Sequence, residues 1–219
     1  FPRDLDRRWV SDFQEGVVEE CSRAGVSLVG GDLSSSPHIA LGVTALGNLS
    51  GRPAITRAGA RIGDQVAVCG RLGCSAGGLL VLQRGFGSPK DLVLEQQCPT
   101  VPYGQGKAAA EAGATAMIDV SDGLLQDLGH ICELSGVGID VRTAALKIHD
   151  SLARLAAATG KDPLGFVLAG GEDHALAATF PAQVELPQGW LRIGTVTSGA
   201  EVIVDGMPWA GSVGWDHFA

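Results

Sequence analysis

Met117-Ile118-Asp119-Val120-Ser121-Asp122-Gly123-Leu124 puts two carboxylates and a hydroxyl together where an apolar, β-like run gives way to a helix-like one. Upstream, Gly30-Gly31-Asp32 repeats the arrangement at the end of the apolar run 26–29. Carboxylates fixed at strand ends, beside glycines that let a ligand approach the backbone, are hard oxygen ligands suited to Mg²⁺ and metal-bound phosphates. A helix N-terminus alone explains Ser121 or Asp122 as caps, but it has no use for Asp119, which ends an apolar strand. Gly170-Gly171-Glu172-Asp173 is a second acidic turn, between the apolar runs 166–169 and Ala175–Phe180. A plain β-turn explains it equally well. Arg57 could neutralise a phosphate, with a solvated surface arginine as the alternative. The five histidines show no metal spacing. No Gly-x-Ser-x-Gly elbow or Cys/His pairing suggests a covalent nucleophile.

These side chains need elements to position them. Residues 12–24 read as a helix with Phe13, Val17, Val18 and Cys21 on one side, closed by Gly25. Residues 26–29 and about 38–46 read as strands, and the turn formers of 47–53 mark a domain boundary. A Gly63-Asp64 turn feeds an apolar strand, Gln65–Cys69. The glycine-rich stretch 70–78 then opens a helical run at 79–83. Such a loop can bind an anion, but it lacks both the P-loop ending and the dinucleotide spacing. Close strand–helix packing is therefore the simpler expectation. Residues 107–112 read as an alanine-rich helix. After the main motif, Leu124, Leu128, Ile131 and Leu134, with Leu125 and Cys132, form a helical apolar stripe opposite Gln126, Asp127 and Glu133. Gly138–Val141 reads as a strand, 152–158 as a helix, Ala175–Phe180 as a strand, and 191–205 as a β-hairpin around Ser198-Gly199. Strands and helices mix without strict βαβ order, which predicts an α+β fold rather than a doubly wound sheet.

Composition narrows the function classes. A hydrophobic fraction of 45% with 18% charged residues describes a globular chain rather than a disordered one. A net charge of −8, with no run of Lys and Arg, argues against a nucleic-acid surface. It leaves room for anionic phosphates where metal ions intervene. No apolar stretch approaches membrane-spanning length, and the first residues carry no signal-peptide pattern, so no membrane partner is expected. Five scattered cysteines without a C-x-x-C pair are expected to be reduced thiols filling core positions, in a cytoplasmic protein.

Five motifs then occur in a telling order. They are Gly30-Gly31-Asp32, Arg57-x-Gly59-Ala60-x-x-Gly63-Asp64, Met117-Ile118-Asp119-x-Ser121-Asp122-Gly123-Leu124, Gly170-Gly171-Glu172-Asp173 and Gly214-Trp215-Asp216-His217-Phe218. In this order the chain resembles the thiamine-monophosphate kinases, a family of the aminoimidazole ribonucleotide synthetase superfamily. The resemblance implies a two-part fold, with residues 1–50 the C-terminal part of an ATP-binding domain and 51–219 the C-terminal domain. It implies transfer of the ATP γ-phosphate to thiamine monophosphate, assisted by Mg²⁺, in a homodimer. Carried over by motif, Asp32, Asp119 and Asp122 would bind Mg²⁺, and Gly31 and Ser121 would approach ATP. Arg57 would contact the nucleotide phosphates, with Asp122 the second catalytic residue. Glu172 and Trp215 would line the thiamine pocket. Family members carry an Asp-Asp pair ahead of a dimerisation strand, and Phe1 falls after that stretch. Leu33 and His174 replace a small hydroxyl residue and an aromatic one. Two further readings are another ATP enzyme of the superfamily, such as a selenophosphate synthetase or hydrogenase-maturation dehydratase, and a non-catalytic nucleotide-binding remnant. The sequence shows no reactive N-terminal Cys motif or C-terminal Cys tail, which speaks against the first.

Overall fold

The computed structural model describes residues 1–215, so Asp216, His217 and Phe218 of the terminal motif lie outside the described residues. The chain divides into two compact units, Phe1–Ala54 and Ile55–Ala219.

The first unit contains helix α1 (Arg7–Ala24). The Asp6 side chain caps it by accepting from Arg8 N, and Gly25 closes it. The helix starts one and a half turns before the expected residue 12. Trp9 stacks on Phe13 one turn later, with ring centroids 5.6 Å apart. The expected strands at 26–29 and 38–46 are not formed: neither segment pairs with a strand among the described residues. Alternating apolar residues suit a sheet, but a strand persists only where its N–H and C=O groups meet a partner. Val29, Val43 and Leu46 are about 90% exposed, so the side chains that suggested these strands cover nothing here.

The second unit is a mixed, mostly antiparallel sheet covered by helices, as an α+β fold requires. In chain order it comprises β1 (Gln65–Cys69), α2 (Cys74–Gln83), α3 (Lys90–Gln97), α4 (Gln105–Glu111), β2 (Ala116–Val120), α5 (Leu124–Ser135), β3 (Gly138–Val141), α6 (Asp150–Thr159), α7 (Pro163–Ala169), β4 (Ala175–Phe180), β5 (Trp190–Thr197), β6 (Val202–Val204) and β7 (Met207–Pro208). The strand order is β2-β4-β1-β5-β3-β6-β7. Central β1 is buried on both faces. Val66 and Val68 point into a large core with Leu124, Leu128 and Ile131 of α5 and Val167 and Leu168 of α7. Ala67 and Cys69 point into a smaller cluster with Ala109, Phe180 and Trp190. Period-two alternation thus feeds two cores from one strand.

One expectation is corrected here. Residues 191–205 are not a hairpin: β3 lies between β5 and β6, antiparallel to the first and parallel to the second. Alternation identifies strands but not their neighbours; where β3 begins, a Cβ at Gly138 would stand 2.8 Å from Gly199 Cα, so the two meet closely as glycines. The apolar run 166–169 is helical, started by Asp162 as N-cap with Pro163 following it.

Candidate functional site

The main motif begins on β2, an edge strand. Ala116, Ile118 and Val120 enter the large core, so Met117 and Asp119 face the other way, with Asp119 exposed. The chain leaves the strand through Ser121, Asp122 and Gly123 and enters α5. This loop is wrapped around one oxygen. Oδ2 of Asp127, which is 2% exposed, accepts the N–H groups of Ser121 (3.0 Å), Asp122 (3.1 Å) and Gly123 (3.1 Å). The sequence pattern puts Asp127 on the polar side of the helix; the structure buries it beneath the loop. Burial pushes its carboxyl above the ordinary Asp range, and the N–H groups of Asp122 and Gly123 pull the other way. Leu134, expected in the apolar stripe, is 55% exposed.

The acidic turn at 170–174 docks against this loop. Glu172 N donates to Ser121 O (2.7 Å) and His174 N to Val120 O (3.0 Å), so the turn hangs on the end of β2. A Cβ at Gly171 would stand 2.6 Å from Ser121 O, and one at Gly123 2.9 Å from Ala169 O, so the two loops meet only as glycines. Glu172 is exposed, with its Oε2 3.7 Å from His174 Nε2. The chain end closes the group: Trp215 N donates to Asp122 O (2.8 Å), and Gln126 Nε2 donates to Trp215 O (2.7 Å). Trp215 is 64% exposed, so its indole is not a core residue.

Arg57 reaches the same strand from another side. Thr56 O accepts Met117 N (3.0 Å), which lays the segment before β1 along the β2 edge. Ser135, at the end of α5, donates its hydroxyl to Arg57 O and accepts Gly59 N and Ala60 N. An open cavity of about 590 Å³ lies here, lined by Arg57, Asp119, Met117, Leu134 and Leu176 among others. A cation and a carboxylate thus face a largely apolar hollow.

The structure therefore gathers Asp119, Ser121, Asp122, Glu172 and Trp215 by backbone hydrogen bonds, with Arg57 sharing a cavity with Asp119. Gly31 and Asp32 lie exposed in the first unit, where Asp32 Oδ2 accepts Ser34 Oγ at 2.6 Å. Among the described residues no group of three or more His, Cys, Asp or Glu is arranged to hold a metal ion. Asp119 offers its carboxylate without an ion pair or hydrogen bond to any of them.

The glycine-rich stretch after β1 serves packing. A Cβ at Gly73 would meet Phe166 backbone at 2.7 Å, and one at Gly78 would meet Leu92 O at 2.0 Å. The N-terminus of α2 does bind an anion, but one from the protein itself. Buried Asp173 accepts Ser75 N through Oδ1 (3.0 Å) and Gly73 N through Oδ2 (2.5 Å). Desolvation pushes its carboxyl up to about 7, against those N–H groups. The sequence pattern puts Asp127 on a polar helix face and Asp173 in an acidic turn, and neither position signals the burial found here. Of the five thiols, Cys69, Cys74 and Cys132 fill the core as expected, whereas Cys98 is exposed. Burial pushes Cys74 up to about 12 and Cys132 up to about 11, so neither is a nucleophile near neutral pH.

Residues 61–206 match the family model "AIR synthase related protein, C-terminal domain", and residues 1–49 match the corresponding N-terminal domain. The chain is 47% identical over 219 residues to thiamine-monophosphate kinase of Mycobacterium tuberculosis, covering 99% of this chain and 65% of that protein. It is 37% identical over 227 residues to thiamine-monophosphate kinase of Corynebacterium glutamicum, covering 99% and 68%. A solved structure of AaThiL complexed with AMPPCP and TMP resembles it with a TM-score of 0.81 at 29% identity, over 100% of this chain and 71% of that one. The chain thus spans 65% of the length of its mycobacterial relative.

Proposed function

The chain belongs to the thiamine-monophosphate kinase family of AIR synthase related proteins, and on that premise we propose that its protein transfers the ATP γ-phosphate to thiamine monophosphate, giving thiamine diphosphate and ADP. One observation carries the reading: three backbone hydrogen bonds, from Glu172, His174 and Trp215, bring an acidic strand end, an exposed carboxylate and an exposed indole to one place. The relative bound to AMPPCP and TMP supports the same pair of substrates.

The roles follow from the chemistry of each group. The acceptor is a phosphate already ionised at neutral pH, so no base is needed. Catalysis is then positioning with charge neutralisation. Arg57 offsets charge on the nucleotide phosphates, and Ser121 hydrogen-bonds ATP. Trp215 stacks on the flat, partly cationic thiamine ring, and Glu172 binds the same substrate. In the first unit, the remainder of an ATP-binding domain, the Gly31 backbone approaches ATP and Asp32 offers a metal ligand.

Asp119, exposed and unpaired among the described residues, and Asp122 fit Mg²⁺ as hard oxygen donors. Phosphate oxygens of the substrates would share that coordination. When bound, Mg²⁺ supplies charge neutralisation of the transferring phosphoryl group. A homodimer is the assembly that the family resemblance implies. A cytoplasmic setting fits five cysteines that form no disulfide.

The test is product stoichiometry. With ATP, Mg²⁺ and thiamine monophosphate, the whole protein should release ADP and thiamine diphosphate in equal amounts and no AMP. AMP release, or phosphorylation of free thiamine in preference to its monophosphate, would contradict the reading.

A further inference from the structure

We infer that Asp173 is a positioning residue for substrate recognition: its carboxylate, anchored on the first turn of α2, holds the 170–174 loop in the conformation that presents Glu172 beside Ser121 and Trp215. The inference rests on the reading above, in which Glu172 meets the thiamine substrate.

Consecutive side chains here have opposite surroundings. The Glu172 side chain faces solvent, whereas Asp173 is 5% exposed. Both flanking residues adopt the left-handed region, Glu172 at φ 64° and His174 at φ 51°. Residues other than glycine hold that conformation only where their surroundings over-determine it. Two ties do so. The backbone tie runs to β2, through Glu172 N and His174 N. The side-chain tie runs to α2, through the two bonds from Asp173 to Gly73 N and Ser75 N. Residue 73 is a glycine and offers no side-chain cap, so α2 takes its cap from Asp173, about a hundred residues onward. Gly73 is itself packed on the α7 backbone at Phe166.

Glu172 is thereby located against two elements at once. Without the second tie, the loop keeps its hold on β2 but can relax the two left-handed residues, and the Glu172 carboxylate moves off its place. The other charged group facing Asp173 is Glu95 on α3, which is paired with Arg71.

The test is Asp173→Asn in the whole protein, with Glu172→Gln and the double variant alongside. Asn keeps the shape and removes a charge that burial already disfavours, so folding is expected. If it fails, Asp173→Ser, smaller and neutral, carries the same comparison. Asp173→Asn should raise KM for thiamine monophosphate about tenfold while KM for ATP stays within about twofold. The double variant should be little worse than Glu172→Gln alone, because both remove one interaction. Asp173→Glu, which keeps the charge, should recover part of the loss. If Glu172→Gln raises that KM and Asp173→Asn does not, the inference falls and the substrate role of Glu172 stands. If neither moves it, both fall. If Asp173→Asn raises both KM values together, or lowers only the thermal midpoint, Asp173 is a helix cap and nothing more.

Discussion

Replacing Asp127 by Ala strips the 121–123 loop of its single acceptor, and the structure sets the size of the effect. Three backbone N–H groups converge on Asp127 Oδ2 at 3.0–3.1 Å. The Gly123 group is buried, and the other two are partly so. An unpaired buried donor costs about 1–3 kcal/mol, so Gly123 contributes ~2 and the partly wetted pair ~1 each. Against this stands relief of a carboxylate whose charge burial disfavours, which offsets part of that sum. The net destabilisation is then roughly 3 kcal/mol. With a urea slope of about 2 kcal/mol/M for a domain of this size, the unfolding midpoint should fall by roughly 1.5 M. Asp127→Asn keeps an acceptor of the same shape and should lose about half as much. Phosphotransfer by the folded Ala variant should also drop, since Ser121 and Asp122 ride on this loop. A midpoint within about 0.3 M of wild type would refute the reasoning, because three lost bonds cannot vanish within that shift.

Trp215→Ala should raise the apparent KM for thiamine monophosphate on the order of tenfold and leave that for ATP nearly unchanged, since stacking on a cationic ring is worth roughly 1–2 kcal/mol; equal rises would mark Trp215 as a packing residue. Asp173 gives a pH signature: its carboxyl is raised from 3.8 to about 7 in the fold, so its contribution to stability grows as pH falls through 7 and is lost as pH rises through that value. Urea midpoints from pH 8.5 to 5 should therefore move in favour of wild type over Asp173→Asn as pH falls, and a constant difference would show that burial does not perturb this group.

Much of the second unit was legible because its elements are periodic. Gln65–Cys69, Gly138–Val141 and Ala175–Phe180 follow from apolar runs bounded by turn residues, and α5 from its stripe and Gly136. The failures share one cause, since pairing is a property of space. Residues 38–46 alternate as a strand should and find no partner, and 191–205 alternates as a hairpin should but admits β3 between its arms. Helix α3 was missed because Leu92, Val93 and Leu94 run together without helical spacing, although Leu92 proves fully buried. At the site, the groups that face solvent could be picked out by type: Asp119, Glu172 and Trp215. The groups that hold them, Asp127 and Asp173, could not. A buried carboxylate satisfied by backbone N–H groups looks, in sequence, like any polar residue on a helix or in a turn.

The most direct test of the proposed phosphotransfer site is the turnover of Asp119→Asn in the whole protein, measured as thiamine diphosphate formed from ATP, Mg²⁺ and thiamine monophosphate. Asp119 is exposed near the end of β2, paired to β4 through its backbone, and its carboxylate has no hydrogen bond or ion pair among the described residues, so Asn should leave the fold and its thermal midpoint intact. Turnover should fall at least about a hundredfold, as when a charge contact made in the transition state is lost. A well-folded variant that turns over at the wild-type rate would contradict the assignment of this strand end as the place where ATP meets its acceptor.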